Sequence, residues 1–231
     1  MKRCAIVGIG GLGAPAAALL ARTAAAALTL IDDDNVDLSN LPRQPLYGKS
    51  DIGRSKVEAA AAGLRRHNPH LELRTHAERL TAASADRLLA DADVLLDGTD
   101  NLDTKIHLNE IALRRHIPLV HAGVLGLDGQ LMSILPGESA CLRCLFVEPP
   151  DGDELPTCQQ AGILAPVVGA VGLAAAREAL FMLRGTRPPL ADRLAILDGR
   201  RLRWRALELH RRPQCPACGD LAIVDTHRED P

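Results

Sequence analysis

Arg3-Cys4-Ala5-Ile6-Val7-Gly8-Ile9-Gly10-Gly11-Leu12-Gly13 decides the fold of this chain. Arg3 to Val7 is an apolar run that predicts a short buried strand ending in a glycine turn. Leu12 to Ala27 is rich in Ala and Leu and predicts a helix, with Pro15 in the first turn, where its missing N–H costs little. Leu28 to Ile31 predicts a second strand, closed by Asp32-Asp33-Asp34. The opening is therefore strand, glycine turn, helix, strand. Gly8, Gly10 and Gly13 supply the glycines of a GxGxxG pattern. Gly8 permits a tight turn, and Gly10 and Gly11 let a phosphate approach the backbone at a helix N-terminus. Asp32 lies 19 residues after Gly13, at the place of a carboxylate that grips a ribose hydroxyl. The motif points to an adenine nucleotide without separating NAD from ATP.

Working outward, Ser39 to Lys49 carries Pro42, Pro45 and Gly48 and is expected to be irregular. Helices are expected over 53–67, 82–90 and 102–115, and strands over 71–75, 93–96 and 118–122. A further strand over 129–135 follows a turn at Asp128-Gly129. This alternation predicts an α/β fold, a doubly wound Rossmann-like sheet whose N-terminal half is parallel, with added antiparallel strands. Residues 146–157, with three prolines and four acidic residues, predict a surface loop. A long Ala-rich helix is expected over 161–183 and a hairpin over 194–209 turning at Asp198-Gly199. The whole chain, 1–231, reads as one domain: a nucleotide-binding part over 1–135, a crossover loop, long helix and cysteine part over 136–220, and a tail over 221–231.

Composition excludes several classes. With 27 basic and 29 acidic residues and 2% aromatics, the chain offers neither a basic footprint nor stacking platforms, so no nucleic acid is expected. No apolar run is read as a membrane span, and Met1-Lys2-Arg3 leads straight into the first strand without a cleavage site. The expectation is a cytoplasmic protein that does not engage a membrane.

Other residues favour ATP. A reaction at an α-phosphate develops several negative charges and calls for Arg, Lys and Mg²⁺. Ser39-Asn40-Leu41-Pro42-Arg43 follows the second strand, Gly53-Arg54-Ser55-Lys56 opens a helix, and Asp97-Gly98-Thr99-Asp100-Asn101 lies at the carboxyl end of a strand, where open α/β sheets bind ligands. Asp100 could bind Mg²⁺ and Asn40 a phosphate. Each also has a plain reading: Arg43 as a solvated charge, Lys56 as one exposed helix residue among many, Asp100 as a helix N-cap. Cys141-Leu142-Arg143-Cys144 and Cys215-Pro216-Ala217-Cys218 are two CxxC knuckles whose four thiolates would close a structural Zn²⁺ site and pin the C-terminal segment to the middle of the chain. Cys4, on the first strand, reads as a core residue. The eight histidines do not cluster, and none is given a role.

Taken in order, the glycine turn, Asp32-Asp33-Asp34, Ser39 to Arg43, Gly53 to Glu58 and Gly98 to Asn101 resemble the ThiF/MoeB/HesA family, bacterial relatives of ubiquitin-activating enzymes, from residue 3 to about 220. The resemblance implies an ATP-dependent adenylyltransferase acting on the C-terminal Gly-Gly carboxylate of a small ubiquitin-like (β-grasp) sulfur-carrier protein. It implies that Gly11 lies against the phosphates and Asp32 holds the ribose. Asn40 and Arg43 would contact the phosphates, with Lys56 beside them, and Ser39 belongs to the Asn40–Arg43 segment. Asp100 would position Mg²⁺ as the catalytic carboxylate, and Asn101 would line the pocket. It also implies that Cys158 is the cysteine that in some members links covalently to the carrier, and that the protein is a homodimer served by a separate sulfur donor. Family members often carry an N-terminal Arg that reaches into the partner's ATP site; here Lys2 and Arg3, at the start of the first strand, are the nearest basic residues. Pro42 stands where Gln is usual and Lys105 where Arg is common. An NAD-dependent oxidoreductase would leave Arg43, Lys56, Asp100 and the knuckles unexplained. A non-catalytic partner subunit would leave Asp100 and Arg43 unexplained.

Overall fold

The computed structural model describes residues 1–23, 27–148 and 162–219. Its frame is β1 (Arg3–Val7), α1 (Gly13–Leu20), β2 (Ala27–Ile31), α2 (Lys56–His67), β3 (Leu73–His76), α3 (Ala82–Leu88), β4 (Val94–Asp97) and α4 (Leu102–Arg114). After these come β5 (Leu119–Leu125), β6 (Asp128–Ile134), α5 (Leu142–Leu145), α6 (Ala165–Leu183), β7 (Arg193–Asp198) and β8 (Arg203–Glu208). The described strands form one sheet in the order β3-β2-β1-β4-β5-β6-β7-β8. The first five are mutually parallel and β6, β7 and β8 are antiparallel. Every residue of β1, β2 and β4 is buried. A parallel strand covered by helices on both faces needs an apolar side chain on each, which is why these segments read as continuous apolar runs.

Chain order reverses between β1 and β4. The crevice outside their carboxyl ends is the ligand site of such sheets. Three glycines close-pack there. A Cβ on Gly13 would sit 1.9 Å from the Gly8 carbonyl oxygen, and one on Gly98 would sit 2.4 Å from that same oxygen. Gly8 itself has φ +84, a left-handed conformation that costs glycine nothing. The glycine turn and the loop after β4 thus approach backbone to backbone, which side chains would forbid.

Three expectations are corrected. The β5–β6 turn lies at Gly126-Leu127, because β5 continues to Leu125, opposite Asp128. Gly126 takes φ +59, and the Gly199 amide donates to the Leu127 carbonyl at 2.9 Å, locking the turn one hairpin away. The first helix ends at Leu20, well short of Ala27. The stretch after β2 is not wholly irregular: Leu38–Asn40 and Lys49–Asp51 are 3₁₀ turns.

Among the described residues one helix, α6, is long and apolar enough to cross a membrane by length and composition, contrary to the sequence reading. Its buried face, including Val168, Val171, Ala175 and Ala179, packs in the main core with α1 and the sheet. Gly172 marks the crossing with α1, since a Cβ there would meet the Leu12 carbonyl oxygen at 2.5 Å and Pro15 Cγ at 2.7 Å. Gly169, on the same helix, has nothing within 4 Å of that position. Gly172→Ala is expected to destabilise the protein by about 2–4 kcal/mol through overpacking. Gly169→Ala is expected to be neutral or to stabilise by up to about 1 kcal/mol through helix propensity. Urea-unfolding midpoints of the two variants check this contrast.

Candidate functional site

The amino end of α1 carries no side-chain cap. The Ala14 and Ala16 amides donate to the Gly10 and Leu12 carbonyls and Pro15 has no N–H, so what this helix end offers is chiefly the positive end of its dipole. Gly10 is the open position of the turn, because a Cβ there would meet only Gln44 Nε2, at 3.7 Å. Gly11 is different: its missing Cβ is required by Val168 of α6, whose Cγ1 would lie 2.5 Å away. The sequence reading gave both glycines to phosphate approach; packing already accounts for Gly11.

Asp32 follows β2 directly and turns its carboxylate back onto the backbone. Oδ2 accepts from the Ile9 amide at 2.6 Å and Oδ1 from the Asp34 amide at 2.9 Å. Burial raises its pKa, opposed by the Lys56 charge and by those amides. Each oxygen keeps a lone pair for a hydroxyl donor, so the same group can anchor the turn and receive a ribose. Tyr47 clasps the turn from the other side, its hydroxyl donating to the Ile9 carbonyl at 2.7 Å. Lys56 is buried at the start of α2 and donates to Asp34 Oδ2 at 2.7 Å, which places its charge beside the Asp32 end of the crevice. Arg43 Nη1 donates to the Ser39 carbonyl at 2.8 Å, and its Cδ lies 3.8 Å from the position of a Cβ on Gly11. Asn40 Oδ1 accepts from the Asp37 amide, closing a capping box over Leu38–Asn40.

Across the crevice, Asp100 is exposed on the loop after β4. The cap of α4 is Asn101, whose Oδ1 accepts from the Thr104 amide at 2.8 Å, so Asp100 is not held as an N-cap and part of the Asn101 side chain is committed to the helix. Arg3 is not free to act at a distance: Nη1 donates to the Leu28 carbonyl and Nη2 pairs with Glu72, at the opposite end of the sheet from the glycine turn. Cys158 lies outside the described residues.

Sequence reading missed what holds the Asp100 loop. Asp97 is buried, and its Oδ1 accepts from the Thr99 amide at 3.0 Å and the Thr99 hydroxyl at 2.7 Å. Its Oδ2 accepts from Lys105 Nζ and from His121 Nδ1, each at 3.0 Å. Lys105 spends its remaining donors on the carbonyls of Thr99 and Ala122, both at 2.7 Å. Three single acceptors suit an ammonium, so the fork of an arginine is not needed here. Burial alone would raise the Asp97 pKa; the Lys105 charge and the His121 hydrogen bond outweigh it and hold the carboxyl at about 2. Burial lowers the pKa of His121, which is therefore neutral and donates from Nδ1. Nothing in local spacing signals this histidine, since its partner lies on another strand.

The four knuckle cysteines converge. Their sulfurs all lie within 4.8 Å of one another, with Cys141 to Cys215 at 3.7 Å, Cys144 to Cys218 at 3.4 Å and Cys141 to Cys144 at 4.0 Å. Tetrahedral Zn–S bonds of about 2.3 Å set sulfur–sulfur edges of roughly 3.8 Å, so the cluster is compatible with zinc. Cys141, Cys215 and Cys218 sit in the second core with Ile111, Leu142 and Leu194. Asn109 of α4 accepts the Leu142 amide at 2.9 Å and ties the first knuckle to that helix.

Fold and site together define a doubly wound nucleotide-binding α/β protein with a four-thiol knuckle. A model described as the ThiF family matches residues 1–217, and the chain belongs to that family. It is 42% identical over 216 residues to the sulfur carrier protein ThiS adenylyltransferase of Escherichia coli (strain K12), covering 93% of this chain and 84% of that protein. It is 35% identical over 222 residues to the SAMP-activating enzyme E1 of Haloferax volcanii, covering 96% and 82%. It is 39% identical over 220 residues to the adenylyltransferase and sulfurtransferase MOCS3 of Sus scrofa, of which it spans 48%. Family membership and these relatives make the chain an adenylyltransferase. The fold is shared with the crystal structure of E. coli MccB with ATP (TM-score 0.82, 20% identity, 94% of this chain and 66% of that one). It is also shared with PaaA (TM-score 0.76, 26% identity, 92% and 65%). The chain thus spans just under two thirds of the length of these solved structures.

The Asp97 cluster sets a pH dependence. A depressed carboxylate contributes stability above its ordinary pKa that is lost as pH falls toward 2. A depressed histidine contributes stability above 6.5 that is lost as pH falls below it. Urea-unfolding stability is therefore expected to decline between about pH 7.5 and pH 5.5, and His121→Gln is expected to flatten that decline. Lys105→Met, which leaves a buried carboxylate unpaired, is expected to cost about 3–5 kcal/mol at neutral pH.

Proposed function

We propose that this adenylyltransferase activates a small ubiquitin-like (β-grasp) sulfur-carrier protein by joining AMP to its C-terminal Gly-Gly carboxylate. One observation carries the reading: the glycine turn packs against the Gly98–Thr99 backbone with Arg43 beside Gly11 and Lys56 on Asp34, in a chain 42% identical to a ThiS adenylyltransferase. A carboxylate oxygen attacks the α-phosphorus of ATP. The bond from that phosphorus to the oxygen bridging to the β-phosphate breaks, and pyrophosphate leaves with the electron pair. No protein base is needed, because a C-terminal carboxylate is already ionised at neutral pH.

The residues take these roles. The α1 amino end and Gly10 receive the phosphates, and Asp32 holds the ribose. Asn40, Arg43 and Lys56 offset charge on the phosphates and the leaving group. Asp100, exposed on a loop fixed from below by Asp97 and Lys105, is the carboxylate that would hold Mg²⁺, which supplies charge neutralisation when bound. The reading includes a second copy of the chain as partner, sulfur supplied by a separate protein and a cytoplasmic setting. Cys141, Cys144, Cys215 and Cys218 would hold Zn²⁺ in a closed structural site.

Incubation with ATP, Mg²⁺ and carriers ending in Gly-Gly is expected to add one AMP to a carrier by intact mass. Asp100→Ala is expected to abolish the adduct while the chain stays folded; absence of any adduct with the unaltered protein refutes the reading. Metal analysis is expected to find one zinc per chain, and chelation is expected to lower the melting temperature by several degrees, on the order of a lost structural site. A zinc-free protein with the same melting temperature would contradict the metal assignment.

A further inference from the structure

The glycine turn has a neighbour that none of the phosphate-binding segments includes. Gln44 follows Arg43 and is 3% exposed. Its backbone is pinned on both sides, its amide donating to the Asn40 carbonyl at 3.1 Å and its carbonyl accepting from the Tyr47 amide at 3.2 Å. The side chain is therefore held in place over the turn, with Nε2 the only heavy atom within 4 Å of where a Cβ on Gly10 would stand. Among the described residues the carboxamide makes no hydrogen bond, and its Oε1 is buried without a partner. The unpartnered buried atom is the acceptor Oε1, while Nε2 is the end that borders the open face of Gly10 with its donors unspent.

We propose that Gln44 is a nucleotide-binding residue whose Nε2 donates to an α-phosphate oxygen seated over Gly10. This rests on the ATP reading above. Three physical points favour it. Gly10 is the one position of the turn whose open face is not filled by packing, and Nε2 borders that face. A phosphate oxygen is an acceptor, which matches the donor end of the carboxamide. The donor is uncharged, unlike Arg43 and Lys56, so its pull on the anion is directional and short-ranged and positions the α-phosphorus. An α-phosphate oxygen gains charge as the incoming carboxylate attacks, so the same donor strengthens as the reaction proceeds.

Equilibrium binding of ATP, AMP and adenosine to the full chain, unaltered and as Gln44→Met and Gln44→Leu, tests this, with thermal melts to confirm folding. Two apolar replacements of different shape guard against one of them failing to fold. For both nucleotides the dissociation constant is expected to rise roughly five- to tenfold, the effect of one lost hydrogen bond, while adenosine, which has no phosphate, changes by less than about twofold. Unchanged ATP and AMP affinity in a folded variant overturns the assignment and leaves the ATP reading intact. An equal loss for adenosine overturns it too, because Gln44 would then shape the pocket and not touch the phosphate. If the unaltered protein binds none of the three, the ATP reading fails, and the Gln44 assignment fails with it.

Discussion

Everything at this site depends on one close approach: the Gly8 carbonyl packs against both Gly13 and Gly98 at distances no side chain would permit. That contact brings the turn after β1 and the loop after β4 together at the switch point of the sheet. It places the amino end of α1, which has no side-chain cap, beside the loop that carries Asp100. Glycine is required by backbone-to-backbone packing here, and the phosphate-binding geometry follows from that packing. The same logic recurs where α6 presses on the turn, with Gly11 making room for Val168 and Gly172 for Leu12.

Two buried carboxylates stiffen the two sides. Asp32 accepts the Ile9 amide of the glycine turn and the Asp34 amide of its own segment, and Asp97 the amide and hydroxyl of Thr99, so each behaves as a framework for a ligand-binding segment. Asp97 is the costlier of the two, being almost fully buried, and it is held ionised by a lysine with no free donor and by a neutral histidine. The cysteine cluster acts on the same helix from behind, since Asn109 and Lys105 both project from α4.

Much of this was legible in the residues. Apolar runs ending in Gly8 and Asp97 marked buried parallel strands, and the two CxxC pairs announced a cluster that the structure assembles with zinc-like spacing. What escaped was set by residues distant in the chain. The role of Gly11 depends on Val168, the β5–β6 turn is fixed by Gly199, and His121 acquires its meaning from a carboxylate 24 residues earlier. The Ala-rich run after Gly13 had no internal stop signal, so its helix was read too long. Nothing in the immediate sequence of Gln44 says that its carboxamide oxygen would be buried without a partner.

The central claim is that the crevice between the glycine turn and the Asp97–Asn101 loop carries out reversible chemistry at the α-phosphorus of ATP. Exchange of labelled pyrophosphate into ATP, with and without a carrier ending in Gly-Gly, measures that step directly. The account predicts exchange that needs both the carrier and its intact C-terminal carboxylate. A protein that binds ATP tightly yet shows no carrier-dependent exchange would contradict it.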